Sequence, residues 1–214
     1  METHIDHLVI AAKTLEQGVE YIKDTLGVNI PFGGVHPKMG THNHLMQLGS
    51  DIFLEIISIN PEAPAPERPR WFGLDSPHIK TQLADSPRLL TWVVNTTDIN
   101  SLVKNASFDA GTPEIITRGA LSWYFALPEN GSLLFGGAVP YAIQWLTEEH
   151  PSKKMADMNC RLESLEIFHP QPDNLRTQLG SVGADKLVKI KASNENSEPH
   201  LKAHIKTPKG IKQL

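Results

Sequence analysis

The stretch HIDHLVIAAKTLEQGVEYIKDTLG, residues 4–27, decides the fold. Its first nine residues read as a buried strand, and in a strand residues two apart share a face. His7 therefore points to the same side as Ile5 and Val9, an unusual place for an imidazole. The remainder reads as a helix. Thr14 and Gln17 stand in capping-box spacing, Leu15, Val19, Ile22 and Leu26 form one apolar stripe, and Gly27 is placed to end it.

The same strand-then-capped-helix unit returns twice. LLTWVVNTTDINSLVKNA (89–106) places its cap at Asp98, and CRLESLEIFHPQPDNLRTQLGSVG (160–183) places its cap at Asp173. Strand-like runs follow each helix: VNIPF, HNHLMQL and DIFLEIIS after the first, PEIITRG, ALSWYFALPENG and VPYAIQWL after the second, KLVKIKA and HLKAHIKT after the third. NPEAPAPERPRWFG (60–73) is too rich in proline for a helix or a central strand. The expected class is α+β. Two paired βαβββ modules are expected over residues 1–150 (1–60, a connector at 61–73, then 74–150), with a shorter βαββ-type module at 151–214. A single sheet leaves a face uncovered, so the modules must pair, and a pocket is expected between them.

Charge divides along the same line. Residues 1–150 carry 9 Lys/Arg and 17 Asp/Glu, whereas 151–214 carry 11 and 7. The basic segment has Phe168 as its single aromatic residue, so stacking platforms for nucleic acid are missing and no nucleic-acid partner is expected. The third module should instead dock on the acidic part of its own chain or of a second copy in a homodimer. The one cysteine, Cys160, suits a reducing cytoplasm, and neither a signal peptide nor an apolar run long enough for a membrane is apparent.

DIFLEIISI (51–59) repeats the oddity of the opening strand, with Glu55 between Phe53 and Ile57. A buried carboxylate needs a partner, a proton or a metal. At this point the chain resembles the vicinal oxygen chelate superfamily, and within it the glyoxalase-like domain proteins. The likeness rests on IDHLVIAAKTLEQGVEYIKDTLGV, GTHNHLMQLGSDIFLEIIS and LPENGSLLFGGAVPYAIQWL, and it covers most of residues 4–146. It implies that the first and fourth strands of a module lie side by side, with metal ligands facing a cup. His7 and Glu55, 48 residues apart, fall on the two ligand positions of the first module. The equivalents in the second module are Thr91 or Trp92, and Gln144; of these only Gln144 offers an oxygen worth counting.

His42, His44 and Met46 share one face of their strand. If that face lines the cup, His7, His44 and Glu55 make a two-His-one-carboxylate set. Otherwise His7 and Glu55 simply pair with each other. Trp92, Trp123 and Met46 are the candidate pocket walls. The resemblance implies a divalent metal (zinc, manganese, iron or nickel, which the residues do not distinguish) and a lyase, isomerase or dioxygenase acting on a small oxygenated organic substrate, with Glu55 as the catalytic ligand. The alternative is a metal-free protein that binds or sequesters a small molecule. No Walker loop, GxSxG elbow, HExxH helix or dinucleotide GxGxxG occurs, so no nucleotide cofactor is expected.

Overall fold

A computed structural model describes residues 2–214. The first unit is β1 (Thr3–Ala11), α1 (Leu15–Leu26), β2 (Phe32–His36), β3 (Thr41–Gly49) and β4 (Ile52–Ile59). A helix absent from the sequence reading, α2 (Pro77–Asp85), follows the proline-rich connector; Pro77 stands where its missing N–H costs nothing. The second unit is β5 (Arg88–Thr96), α3 (Ile99–Asn105), β6 (Thr112–Arg118), β7 (Leu121–Leu127) and β8 (Tyr141–Trp145). These two units share one eight-stranded sheet in the order β2-β3-β4-β1-β5-β8-β7-β6. β1 runs parallel to β4 and β5 parallel to β8, while β1 and β5 are antiparallel at the seam. The α+β class and the paired βαβββ modules are therefore what the chain forms.

Local chemistry sets the helix boundaries. Thr14 accepts from the Gln17 amide at 3.3 Å and Gly27 closes α1 at φ 76°; Asp98 accepts from the Ser101 amide at 3.0 Å to start α3. The inward face of α1 buries Leu15, Gly18, Ile22 and Leu26. Gly18 is there because the helix lies so close to the sheet that a Cβ would sit 2.4 Å from Ile56 Cγ2. Gly18→Ala should lower the melting temperature, since overpacking costs ~1–3 kcal/mol against ~1 kcal/mol gained in helix propensity. The penalty should shrink when Ile56→Ala is made in the same chain. A Gly18→Ala protein as stable as wild type would mean that α1 shifts freely.

The third unit is β9 (Arg161–His169), α4 (Pro172–Ser181), β10 (Lys189–Ala192), β11 (His200–Thr207) and β12 (Gly210–Gln213). It has one strand more than expected, and different wiring. Its order is β10-β9-β11-β12, so the strand after the helix pairs in parallel with β9, and β11, antiparallel to β9, lies on its other side. Asp173 does not cap α4; Gln171 is the cap residue, with Pro172 next, and Asp173 lies in the first turn. β2 likewise starts later than the run VNIPF suggests, beyond Pro31, whose missing N–H cannot join a ladder. The second sheet packs through β11 against β5 and the 3-10 turn Leu134–Gly137, and one apolar core runs continuously from Leu8 and Trp92 to Ile167 and Ile205.

Candidate functional site

The inner face of the large sheet forms a small cup with about 40 Å³ of enclosed space. Four strands of the first unit contribute polar groups: His7 from β1, His36 from β2, Asn43 from β3 and Glu55 from β4. The second unit contributes Arg118 from the end of β6 and the apolar side chains Trp123, Phe125, Ile143 and Trp145. Trp71 and Phe72, from the turn that ends the proline-rich connector, close the floor with Phe125.

His7 and Glu55 come together as their strands require. β1 and β4 are parallel neighbours with His7 opposite Phe53 and Val9 opposite Glu55. His7 stacks on the Phe53 ring at 4.4 Å, and its Nε2 lies 3.7 Å from Glu55 Oε2. Both groups are buried, at 4% and 6% exposure. The other Glu55 oxygen, Oε1, accepts from Asn43 Nδ2 at 2.6 Å.

Asp6 orients the imidazole. Strict alternation would turn it to the opposite face from His7, but the β1–β5 register shifts between Ile5 and His7, and this bulge swings Asp6 beside the ring. Its carboxylate is fully buried and accepts from His7 Nδ1 at 2.5 Å, His150 Nε2 at 2.9 Å and Trp145 Nε1 at 2.8 Å. Burial pushes the Asp6 pKa up, but the hydrogen bonds from His150 and His7 outweigh it and hold the carboxyl below its usual value. Asp6 on Nδ1 fixes the plane of the ring and turns Nε2 to Glu55. His7 Nε2 faces the Glu55 carboxyl across 3.7 Å. An imidazole nitrogen and a carboxyl oxygen so placed can share a proton, or a ligand that brings one, in the gap.

Residues 5–183 match the family model described as the Glyoxalase-like domain. The chain is a glyoxalase-like domain protein of the vicinal oxygen chelate superfamily. No curated protein matches it. Among solved structures, a hypothetical protein from Staphylococcus aureus is 12% identical, with a TM-score of 0.59 over 99% of this chain and 88% of that one, so the fold extends through all three units. Streptomyces coelicolor methylmalonyl-CoA epimerase in complex with 2-nitronate-propionyl-CoA is 17% identical (TM-score 0.42, over 69% of this chain and all of that one). The Mycobacterium tuberculosis methylmalonyl-CoA epimerase is also 17% identical (TM-score 0.39, over 66% and 86%).

The glyoxalase-like cup differs from the expected ligand set. On β3, Leu45 lies opposite Glu55, so Asn43 and Leu45 face the cup and His42, His44 and Met46 face away. His44 Nδ1 is bonded to the Ile30 carbonyl at 2.6 Å, and Met46 is fully buried in the core. Gln144 also points away: its Oε1 accepts from the Ile99 amide at 3.0 Å, capping α3. Thr91 bonds the Gly137 carbonyl, and Trp92, fully buried, donates to the Ala138 carbonyl at 3.1 Å instead of walling the cup. Of the expected walls, Trp123 alone lines it.

A resident dication does not fit these side chains. Catalytic sites usually offer at least three protein donors. Among the described residues no group of three or more His, Cys, Asp or Glu is placed to hold a metal ion, since the Asp6 oxygens are taken by His7, His150 and Trp145. His7 and Glu55 are two. The positions opposite them carry indole and alkyl groups, and Asn43 turns its amide N–H, not its oxygen, toward Glu55.

Asp6, His36, Arg118 and His150 were not singled out from the sequence. His150 follows the last strand of the second unit and gives no periodic signal. Arg118 is a lone cation in PEIITRG, indistinguishable there from a solvated residue.

Proposed function

We propose that this glyoxalase-like protein is an isomerase or lyase that moves a proton on a small oxygenated organic substrate without a resident metal, with Glu55 as the base. The observation that carries the reading is the buried pair of facing proton-transfer groups, His7 Nε2 and Glu55 Oε2, 3.7 Å apart inside an aromatic cup. Glu55 takes a proton from the carbon next to the substrate carbonyl. The C–H electron pair passes to the carbonyl oxygen as an enolate, and the Glu55 carboxylic acid then returns the proton to carbon. His7, held in one tautomer by Asp6, accepts a hydrogen bond from a substrate hydroxyl and fixes the carbon over Glu55. Phe53, Trp123 and Phe125 exclude water, which strengthens these contacts.

The test is hydrogen exchange at carbon. A panel of small 2-oxo and 2-hydroxy compounds is incubated with the protein in D2O and followed by proton NMR. At least one should lose its C–H signal at a catalysed rate, unchanged by EDTA, and Glu55→Gln should slow that loss by ~100-fold or more. Exchange that stops with EDTA would restore the metal. Saturable binding without any exchange would mark a sequestration protein instead.

A further inference from the structure

The cup holds a cation with no anion against it. Arg118 ends β6, one edge of the large sheet, and reaches over the opening to β2, the other edge. Its Nη1 lies 3.2 Å from His36 Nε2 and 3.4 Å from Asn43 Oδ1. Among the described residues the guanidinium makes no ion pair. Neither partner cancels its charge. Asn43 is neutral. His36 is kept neutral as well: burial, then the charge of Arg118 itself, lowers its pKa to about 3. With Nδ1 on Thr41 Oγ1 at 3.1 Å, its Nε2 can only accept from Arg118. Burial pulls the pKa of Arg118 below its ordinary value, opposed by the charge of Glu55, a sign that the guanidinium lacks solvation.

We propose that Arg118, steered by His36 and Asn43, is a carboxylate-binding subsite, and that the ligand of this cup is a small organic acid. The proposal rests on the reading of the cup as a substrate site and adds the class of substrate. Asn43 makes the arrangement work. Its Nδ2 donates to Glu55 while its Oδ1 faces Arg118, so one amide stands between the resident anion and the resident cation. Without that spacer the two charges would close on each other, and the guanidinium would be spent. A ligand carboxylate on the planar fork of Arg118 satisfies it through two N–H bonds. Its next carbon then lies toward the His7–Glu55 pair. In a 2-hydroxy acid that carbon bears the C–H, whereas in a 2-oxo acid it is the carbonyl carbon and the exchangeable C–H is one carbon further on. The flanking rings of Trp71 and Phe125 accept a short apolar tail.

The test compares an acid with its uncharged ester. Binding of pyruvate, phenylpyruvate and methyl pyruvate to the full-length protein is titrated by ligand-observed NMR. At least one of the two acids should bind saturably, with methyl pyruvate at least about tenfold weaker than that acid. Arg118→Gln should weaken the acid by a similar factor and leave the ester unchanged, with Arg118→Lys in between because it keeps charge but loses the fork. Glu55→Gln should bind the acid as well as wild type or better, since it removes a neighbouring negative charge. Equal binding of acid and ester, no saturable binding of either acid, or an acid affinity indifferent to Arg118→Gln would each overturn the proposal. Acid binding that survives while Glu55 supports no carbon exchange would refute the proton-transfer reading and leave the subsite standing.

Discussion

Cutting the chain after His150 should yield a protein that aggregates or melts far below the intact chain. β11 lies against β5, the strand at the seam of the large sheet, and its Leu201, Ala203 and Ile205 are buried there with Leu165 and Ile167 of β9. Each large aliphatic side chain so buried contributes ~1.5–3 kcal/mol, and the cut removes four of them together. Polar ties go as well. The Thr3 hydroxyl donates to the Gly183 carbonyl at 2.8 Å, the Gln47 amide to the Ala156 carbonyl at 3.0 Å, and the Gln47 side chain to the Ser152 carbonyl at 3.0 Å. A total stability of only ~5–15 kcal/mol does not survive losses of that size, and the surface left bare is apolar. The measurement is expression of residues 1–150, followed by size-exclusion chromatography and a thermal melt. A soluble monomer with the melting temperature of the whole chain would make the third unit an appendage.

Asp6→Asn should be the most damaging single substitution that keeps side-chain volume. The carboxylate satisfies three N–H donors at once, whereas an amide has one acceptor oxygen and turns its own N–H2 on at least one of them. Lost charge-assisted hydrogen bonds and an unsatisfied buried donor come to ~2–4 kcal/mol, or roughly 5–15 °C in melting temperature for a chain of this length. The pH dependence identifies the cause. The folded-state pKa of Asp6 is depressed, so its contribution is complete above the unfolded value of 3.8 and fades as pH falls through the folded one. The gap between wild type and Asp6→Asn should therefore be full at neutral pH and narrow below pH 3.8. A gap that does not change with pH would show that shape, and not charge, is what the site needs.

The parts legible in the sequence are those that repeat. The capped helix at 14–27 and its echo at 98 led to two paired modules, and a polar residue between apolar neighbours on one strand face singled out His7 and Glu55. What was hidden depends on single-residue register. Leu45, not His44, faces the cup, because turn geometry fixes which residue stands opposite Glu55, and one step of slip exchanges the two faces. Asp6 was invisible for a related reason. Alternation assigns it to the wrong side, and only the bulge beside it brings it to His7. Gln144 held the right sequence offset but caps a helix, a local demand for a hydrogen bond that outranks the inherited position.

The sheet order has one more consequence. β1 is hydrogen-bonded along both flanks, to β4 and β5, while β6 is bonded along one only, to β7. Backbone held on both sides opens last, and backbone at a margin opens first. His7 and Glu55 thus ride on interior strands paired on both sides, and Arg118 rides on an edge. On the proposed reading, acids of different bulk would displace that edge while the His7–Glu55 distance stays constant.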